Sequence, residues 1–174
     1  VVDDVVKGKL SFLDGIVSYV LCLQPKGLPY ILEKNASLPY LKTINLPAFI
    51  TSPSTKEYLL HNLEKLRNSL EKFSGQKITN ESLGNSIRIY NKNRALLRRL
   101  YELRRDNPGL IKAKEVLAIV HTSMLMPKEE HSQLLEELLS DLERRKSSAV
   151  GKPKLILVGC LCQTPQTEIL DLIE

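Results

Sequence analysis

The run Asp14-Gly15-Ile16-Val17-Ser18-Tyr19-Val20-Leu21-Cys22 is apolar almost throughout, and this constrains the fold more than any other stretch. A strand with one wet face alternates polar and apolar residues, whereas a near-continuous apolar strand suits a parallel sheet covered on both faces. A second such run, Leu155-Ile156-Leu157-Val158-Gly159, leads into Cys160-Leu161-Cys162. All three cysteines therefore sit at the carboxyl ends of predicted strands, where open α/β sheets bind ligands.

Between these runs the pattern changes period. Val2 to Lys7 reads as a short amphipathic segment stopped by Gly8, and a further strand is predicted from Leu41 to Leu46, ended by Pro47. The segment Pro25 to Pro39 is broken by prolines and Gly27, leaving room for a helical turn or two at Tyr30-Ile31-Leu32. Ser54, with Glu57 three residues on, marks a capping box before Leu59, Leu60, Leu63, Leu66, Leu70 and Phe73, and Gly75 closes that helix. Thr79 caps a long helix reaching Arg105, with Leu83, Ile87, Tyr90, Leu97 and Tyr101 as its apolar stripe. Asp106-Asn107-Pro108-Gly109 is a turn. A helix over Ala113 to Leu125 presents Val116, Leu117, Val120 and Met124, and one started by Pro127 presents Leu134, Leu135, Leu138 and Leu142. After a loop from Ser147 to Pro153, the strand Lys154 to Gly159 and a helix from Thr164 follow.

This order predicts the α/β class: partial Rossmann-like lobes with parallel strands and a large central helical block. Residues 1–53 would form the C-terminal part of a first α/β lobe, 54–150 a helical block linking the lobes, and 151–174 the start of a second lobe. An isolated strand–helix unit cannot cover both faces of its strand. That, and a start without Met, reads as a fragment of a longer protein.

The chain has 174 residues, 43% hydrophobic and 26% charged, which is ordinary globular composition. No run approaches the length of a membrane span, and Val1-Val2-Asp3-Asp4 is acidic where a secretory leader would be basic. Three cysteines without framework spacing suit a reducing, cytoplasmic setting. The formal charge of +5 is spread over predicted helices and Trp is absent, which argues against a nucleic-acid surface. There is neither a Walker A sequence nor a G-x-G-x-x-G fingerprint.

Taken singly, a cysteine such as Cys22 is more often a small buried hydrophobe than a ligand or nucleophile. Cys160 and Cys162 on an extended segment would point the same way and could share a metal or a cluster edge. His121 reads as a packing histidine on an apolar helix face, and His61 and His131 read as surface residues. Glu129, Glu130 and His131 are an acid–base set only in outline, since all three also suit a solvated first turn. Arg88, Lys92 and Arg99 share a helical face that could meet a partner or a coenzyme phosphate, though a solvated face is the simpler account of them.

Several stretches, in order, resemble the catalytic-subunit family of 2-hydroxyacyl-CoA dehydratases and benzoyl-CoA reductases. They are Phe12-Leu13-Asp14-Gly15-Ile16-Val17 followed by Cys22, Leu46-Pro47, the long run Ile87 to Arg104, Met126-Pro127-Lys128-Glu129-Glu130-His131, and the strand Leu155 to Gly159. The resemblance, to the D-component of 2-hydroxyglutaryl-CoA dehydratase among others, implies two α/β lobes with a [4Fe-4S] cluster between them. It implies Cys22 as a cluster ligand, with Cys160 and Cys162 near the cofactor. It further implies an acyl-CoA substrate, a second homologous subunit, and an ATP-dependent iron–sulfur activator protein that supplies the electron. Members commonly carry His-Thr before this cysteine and Asp after it, where this chain has Val20, Leu21 and Leu23. The alternative implied is a noncatalytic structural or partner-binding subunit of the same family without a cluster.

Overall fold

Two units divide the chain, Val1–Thr79 and Asn80–Glu174. The computed structural model describes residues 2–20, 23–35, 38–145 and 167–173. The first unit holds α1 (Val2–Val6), β1 (Gly15–Val20), α2 (Leu23–Asn35), β2 (Tyr40–Asn45) and α3 (Thr55–Ser74). The second holds α4 (Asn80–Asp106), α5 (Ala113–Leu125), α6 (Lys128–Arg144) and α7 (Thr167–Ile173). The class is mixed α/β, mostly helical, with a two-stranded parallel sheet among the described residues. The predicted strand Lys154 to Gly159 and the loop before it lie outside the described residues.

In the first unit β1 and β2 pair in register from Gly15↔Tyr40 to Val20↔Asn45. Alternation then sorts their side chains. Val20, Leu41, Thr43 and Asn45 line a cleft with Pro29, Tyr30 and Glu33 of α2, so α2 covers that face. Opposite, the Tyr40 ring stacks on Phe73 at 4.7 Å and its hydroxyl donates to Ser69 Oγ at 3.0 Å, which ties α3 to β2. Val17 and Tyr19, on this second face of β1, stay 46% and 54% exposed. The two-sided cover expected for β1 is thus half met among the described residues.

Gly15 is there because of its neighbour. A Cβ at this position would lie 2.6 Å from both the Cβ and the carbonyl oxygen of Tyr40, and one of those atoms is backbone. Gly15→Ala is therefore expected to push the strands apart, at a cost of about 1–3 kcal/mol for overpacking. Denaturant unfolding of the whole chain measures this; an unshifted midpoint would mean the close approach is not real.

The proline-broken reading of residues 25 to 39 gives way to a helix of 13 residues. Pro25 falls in the first turn, where its missing N–H would have no intrahelical partner anyway. Pro29 removes one hydrogen bond, and the complete burial of Leu32 offsets that loss. Gly8 and Gly75 stop α1 and α3 as expected, both at φ +72°, and the Gly75 N–H donates to the Glu71 carbonyl at 2.9 Å. The capping box at Ser54 is absent. Its backbone is already helical (φ −76°, ψ −9°), so its side chain cannot turn back onto the first-turn amides. It pairs with Ser52 Oγ at 3.0 Å, while Thr55 Oγ1 donates to the Phe49 carbonyl at 2.6 Å.

The second unit is built on α4, about 40 Å long at 1.5 Å per residue. Its contacts with α6 advance along both helices, from Asn93 with His131 and Ser132, and Lys92 with Glu136, to Arg99 with Glu143. The two helices therefore run parallel, and α5 carries the chain back between them. Leu100, Leu103, Leu110, Ile111, Val116, Leu135, Leu139 and Leu142 form the core, flanked by Leu96, Leu97, Ile119, Val120 and Leu138. α7 joins through buried Leu170 and an ion pair from Lys114 to Asp171 at 2.7 Å.

The predicted stripe of α4 is rotated from the observed one, whereas those of α5 and α6 hold in part: Val116, Leu135 and Leu142 are buried, and Val120 and Leu138 pack against the core. On α4 the buried positions are Asn93, Leu100 and Leu103, while Leu83, Ile87, Tyr90 and Tyr101 are exposed. On α6 Leu139 is buried and Leu134 is 54% exposed; on α5 Ser123 is buried and Met124 is 66% exposed. Each of these helices carries apolar residues on more than one face, so period alone does not choose the face that packs.

Candidate functional site

Parallel pairing brings the carboxyl ends of β1 and β2 to one edge, at Val20 and Asn45. Beside that edge the cleft against α2 has a volume of about 370 Å³. Its polar groups are the Glu33 carboxylate, the Asn45 amide and the Thr43 hydroxyl; Tyr30 adds an aromatic wall, with Lys34 Nζ 5.9 Å from its ring centroid. Such a cleft can orient a polar ligand by hydrogen bonds. It has no nucleophile of its own among the described residues.

Cys22 follows Val20 by two residues and lies outside the described residues, as do Cys160, Cys162 and Gly159. Among the described residues no three His, Cys, Asp or Glu side chains gather to hold a metal ion. The fit to an iron–sulfur centre therefore rests on donor chemistry: thiolates are the ligands such clusters take, and in the sequence Cys22 is the second residue after the end of β1 at Val20.

The helical unit holds a polar node that periodicity did not reveal. Asn93 is 2% exposed, His131 4% and Ser132 2%. The Asn93 amide nitrogen donates to His131 Nδ1 at 2.7 Å and to Ser132 Oγ at 3.0 Å. On its other side His131 Nε2 lies 3.0 Å from the Ile119 carbonyl. A carbonyl can only accept, so Nε2 carries the hydrogen and Nδ1 offers its lone pair to Asn93. The node ties α4, α5 and α6 together. His131 is not the surface residue expected. It stands four residues before Leu135 on the buried side of α6, and that spacing was the signal available for it.

His61 is exposed on α3, and His121 is half-buried on α5. Glu129 and Glu130 are exposed in the first turn of α6, apart from the buried imidazole. The basic stripe divides. Lys92 pairs with Glu136 at 2.9 Å and Arg99 with Glu143 at 3.0 Å, which clips α4 to α6, while Arg88 stays exposed. With side chains about half exposed, these pairs contribute roughly 0–1 kcal/mol each, and they serve register more than stability. In the first unit, the Glu71 carboxylate accepts from Lys77 Nζ at 2.7 Å and from the Ile78 N–H at 2.9 Å. Lys77 first, and that backbone bond second, hold its carboxyl below the usual range.

The family model described as 2-hydroxyglutaryl-CoA dehydratase, D-component, matches residues 2–174. The chain is similar to a benzoyl-CoA reductase subunit from Thauera aromatica, 26% identical over 166 residues that cover 95% of this chain and 43% of the relative. It is similar to the beta subunit of (R)-2-hydroxyglutaryl-CoA dehydratase from Acidaminococcus fermentans, 27% identical over 160 residues, 91% of this chain and 42% of the relative. It is also similar to the beta subunit of lactoyl-CoA dehydratase from Anaerotignum propionicum, 31% identical over 121 residues, 70% and 32% respectively. The chain spans less than half the length of these curated relatives. No helix among the described residues is long and apolar enough to cross a membrane.

Proposed function

Because the chain belongs to the 2-hydroxyglutaryl-CoA dehydratase D-component family, we propose that it is part of an iron–sulfur subunit acting on CoA thioesters. The reaction is radical dehydration of a 2-hydroxyacyl-CoA or ATP-driven reduction of a benzoyl-CoA type ring. The match over residues 2–174 carries this reading. The carboxyl edge of β1 and β2, with Cys22 two residues past Val20, supports it from the fold.

In this reading Cys22 holds a [4Fe-4S] cluster at the strand end, and Cys160 and Cys162 lie close to the cofactor. When bound, the cluster supplies low-potential one-electron chemistry to the thioester substrate. The described residues contribute binding and orientation: Asn45, Thr43 and Glu33 offer hydrogen bonds along the cleft, and Tyr30 offers a flat wall. The partners are a second homologous subunit and an ATP-dependent iron–sulfur activator. The relatives are themselves subunits of larger enzymes, which supports the multi-subunit part of this reading.

Cys22→Ala in the parent protein, made anaerobically with iron and sulfide in excess, is expected to lose most of the bound iron and the cluster's visible absorption. Parent protein that stays cluster-free under those conditions, or a variant that keeps its full iron content, would defeat the assignment. A cluster-free supporting subunit is the second reading, and the observation favouring it is the apolar sequence Val20, Leu21 and Leu23 around Cys22. Polar neighbours ordinarily orient and tune a ligand. Product analysis separates the two chemistries, since dehydration yields an enoyl-CoA and reduction a dienoyl-CoA.

A further inference from the structure

Asn93, His131 and Ser132 meet where α4, α5 and α6 join, and all three are buried. A half-open cavity of about 120 Å³ adjoins the imidazole, lined otherwise by Ile119, Thr122, Met126, Leu134, Leu135 and Leu138. None of these six side chains carries a charge. The charged groups of the packed helices are engaged or exposed: Lys92 of α4 pairs with Glu136 of α6 at 2.9 Å, and Arg94 Nη2 donates to the amide oxygen of Asn91 at 2.6 Å. On α6, Lys128 Nζ lies 5.5 Å from the Tyr90 ring centroid, and Glu129 and Glu130 are exposed. His121 of α5 is half-buried, two residues past Ile119. Within the junction itself the His131 imidazole is the group that can change its charge, and the cavity gives a proton its route.

Nε2 of the ring is committed to the Ile119 carbonyl at 3.0 Å, so a second proton enters at Nδ1. There it meets the Asn93 amide nitrogen, already a donor, at 2.7 Å. Two donors cannot bond each other. The terminal torsion of asparagine is close to two-fold, however, so a half-turn brings its oxygen to the ring in place of its nitrogen with little change of shape. Ser132 suits either arrangement. Its hydroxyl accepts from the amide nitrogen at 3.0 Å as the structure stands, and after the turn it can donate to the amide oxygen. The charged ring then meets an oxygen at each nitrogen, and bonds to a charged group are about twice as strong as neutral ones. A helix N-terminus disfavours a cation, but Glu129 and Glu130 in the first turn of α6 offset this.

We propose that Asn93, Ser132 and His131 form a proton-driven switch: when His131 takes a proton at Nδ1, the Asn93 amide makes a half-turn, its oxygen accepts from the ring, and Ser132 reverses from acceptor to donor. The three helices stay joined in both states, so the junction answers acidity by rearranging instead of by coming apart. The switch is independent of the cluster and of the thioester chemistry.

The test is nuclear magnetic resonance of the isotopically labelled chain from about pH 8 to about pH 5, the interval in which histidines ordinarily change charge. At the upper end, a coupling through the hydrogen bond is expected between His131 Nδ1 and the Asn93 amide nitrogen. At the lower end that coupling is lost, Nδ1 carries its own hydrogen, and the two Asn93 amide protons shift in the same transition as the ring. Amide protons that hold still while the ring takes up its proton overturn the proposal. So does a ring that stays unprotonated at Nδ1 to the acid end, or a helical unit that unfolds in step with proton uptake. Asn93→Leu keeps most of the volume and removes the turning amide; proton uptake by His131 is expected to weaken about fivefold, the difference between losing a bond to a charged group and losing one to a neutral group. Unchanged uptake in this variant overturns the proposal, and if the variant does not fold the titration of the unaltered chain decides.

Discussion

Leu100→Ala is expected to lower the stability of the helical unit by about 2–5 kcal/mol. Leu100 has no exposed surface and lies in one cluster with Leu103, Leu110, Ile111, Val116, Leu135, Leu139 and Leu142. Truncation removes the transfer free energy of the lost carbons and leaves a void that surrounding helices fill in part. Leu134→Ala is the control. At 54% exposed, this leucine is expected to change stability by no more than about 0.5 kcal/mol. Denaturant unfolding followed by circular dichroism compares the two, and equal effects would show that the buried face of the unit is assigned wrongly.

The second large effect is expected at Asn93. Asn93→Ala removes both donors of the node and leaves His131 Nδ1 and Ser132 Oγ facing a dry gap. A buried polar atom stripped of its partner costs about 1–3 kcal/mol, so the variant is expected to lose roughly 2–4 kcal/mol. Removing the imidazole as well, in Asn93→Ala/His131→Phe, should cost less than the sum of the single changes, because one orphaned acceptor disappears. Strict additivity would show that Asn93 and His131 do not share a bond.

The strands were legible because β-structure announces itself locally: β1 and β2 fall within a residue or two of where apolar runs and Pro47 put them. Helix boundaries were legible for the same reason, with α5 observed from Ala113 to Leu125 as expected and Gly75 closing α3. Which face of α4 is buried was not. Tyr90 and Tyr101 look like core residues by hydropathy and period, yet the helix buries Asn93, whose value comes from a partner 38 residues away. That information is pairwise and long-range, and no window along the chain contains it. Ser54 shows the complementary failure. Its residue type suits a cap, but the backbone was already helical before the cap could form. For the candidate site, the cleft residues Glu33 and Asn45 were invisible in sequence because they belong to different elements.

The parallel pairing of α4 and α6 has a kinetic consequence. Its side-chain ties span 38, 39 and 44 residues, so they enclose nearly the same loop, closed once by α5 and its turns. After the Asn93–His131 bond forms, each later pair adds almost no loop entropy. The helical unit should therefore assemble like a zipper from that node toward Leu103 and Leu142. A substitution at Asn93 should slow its folding, whereas one near the far end of the helix pair should chiefly speed its unfolding.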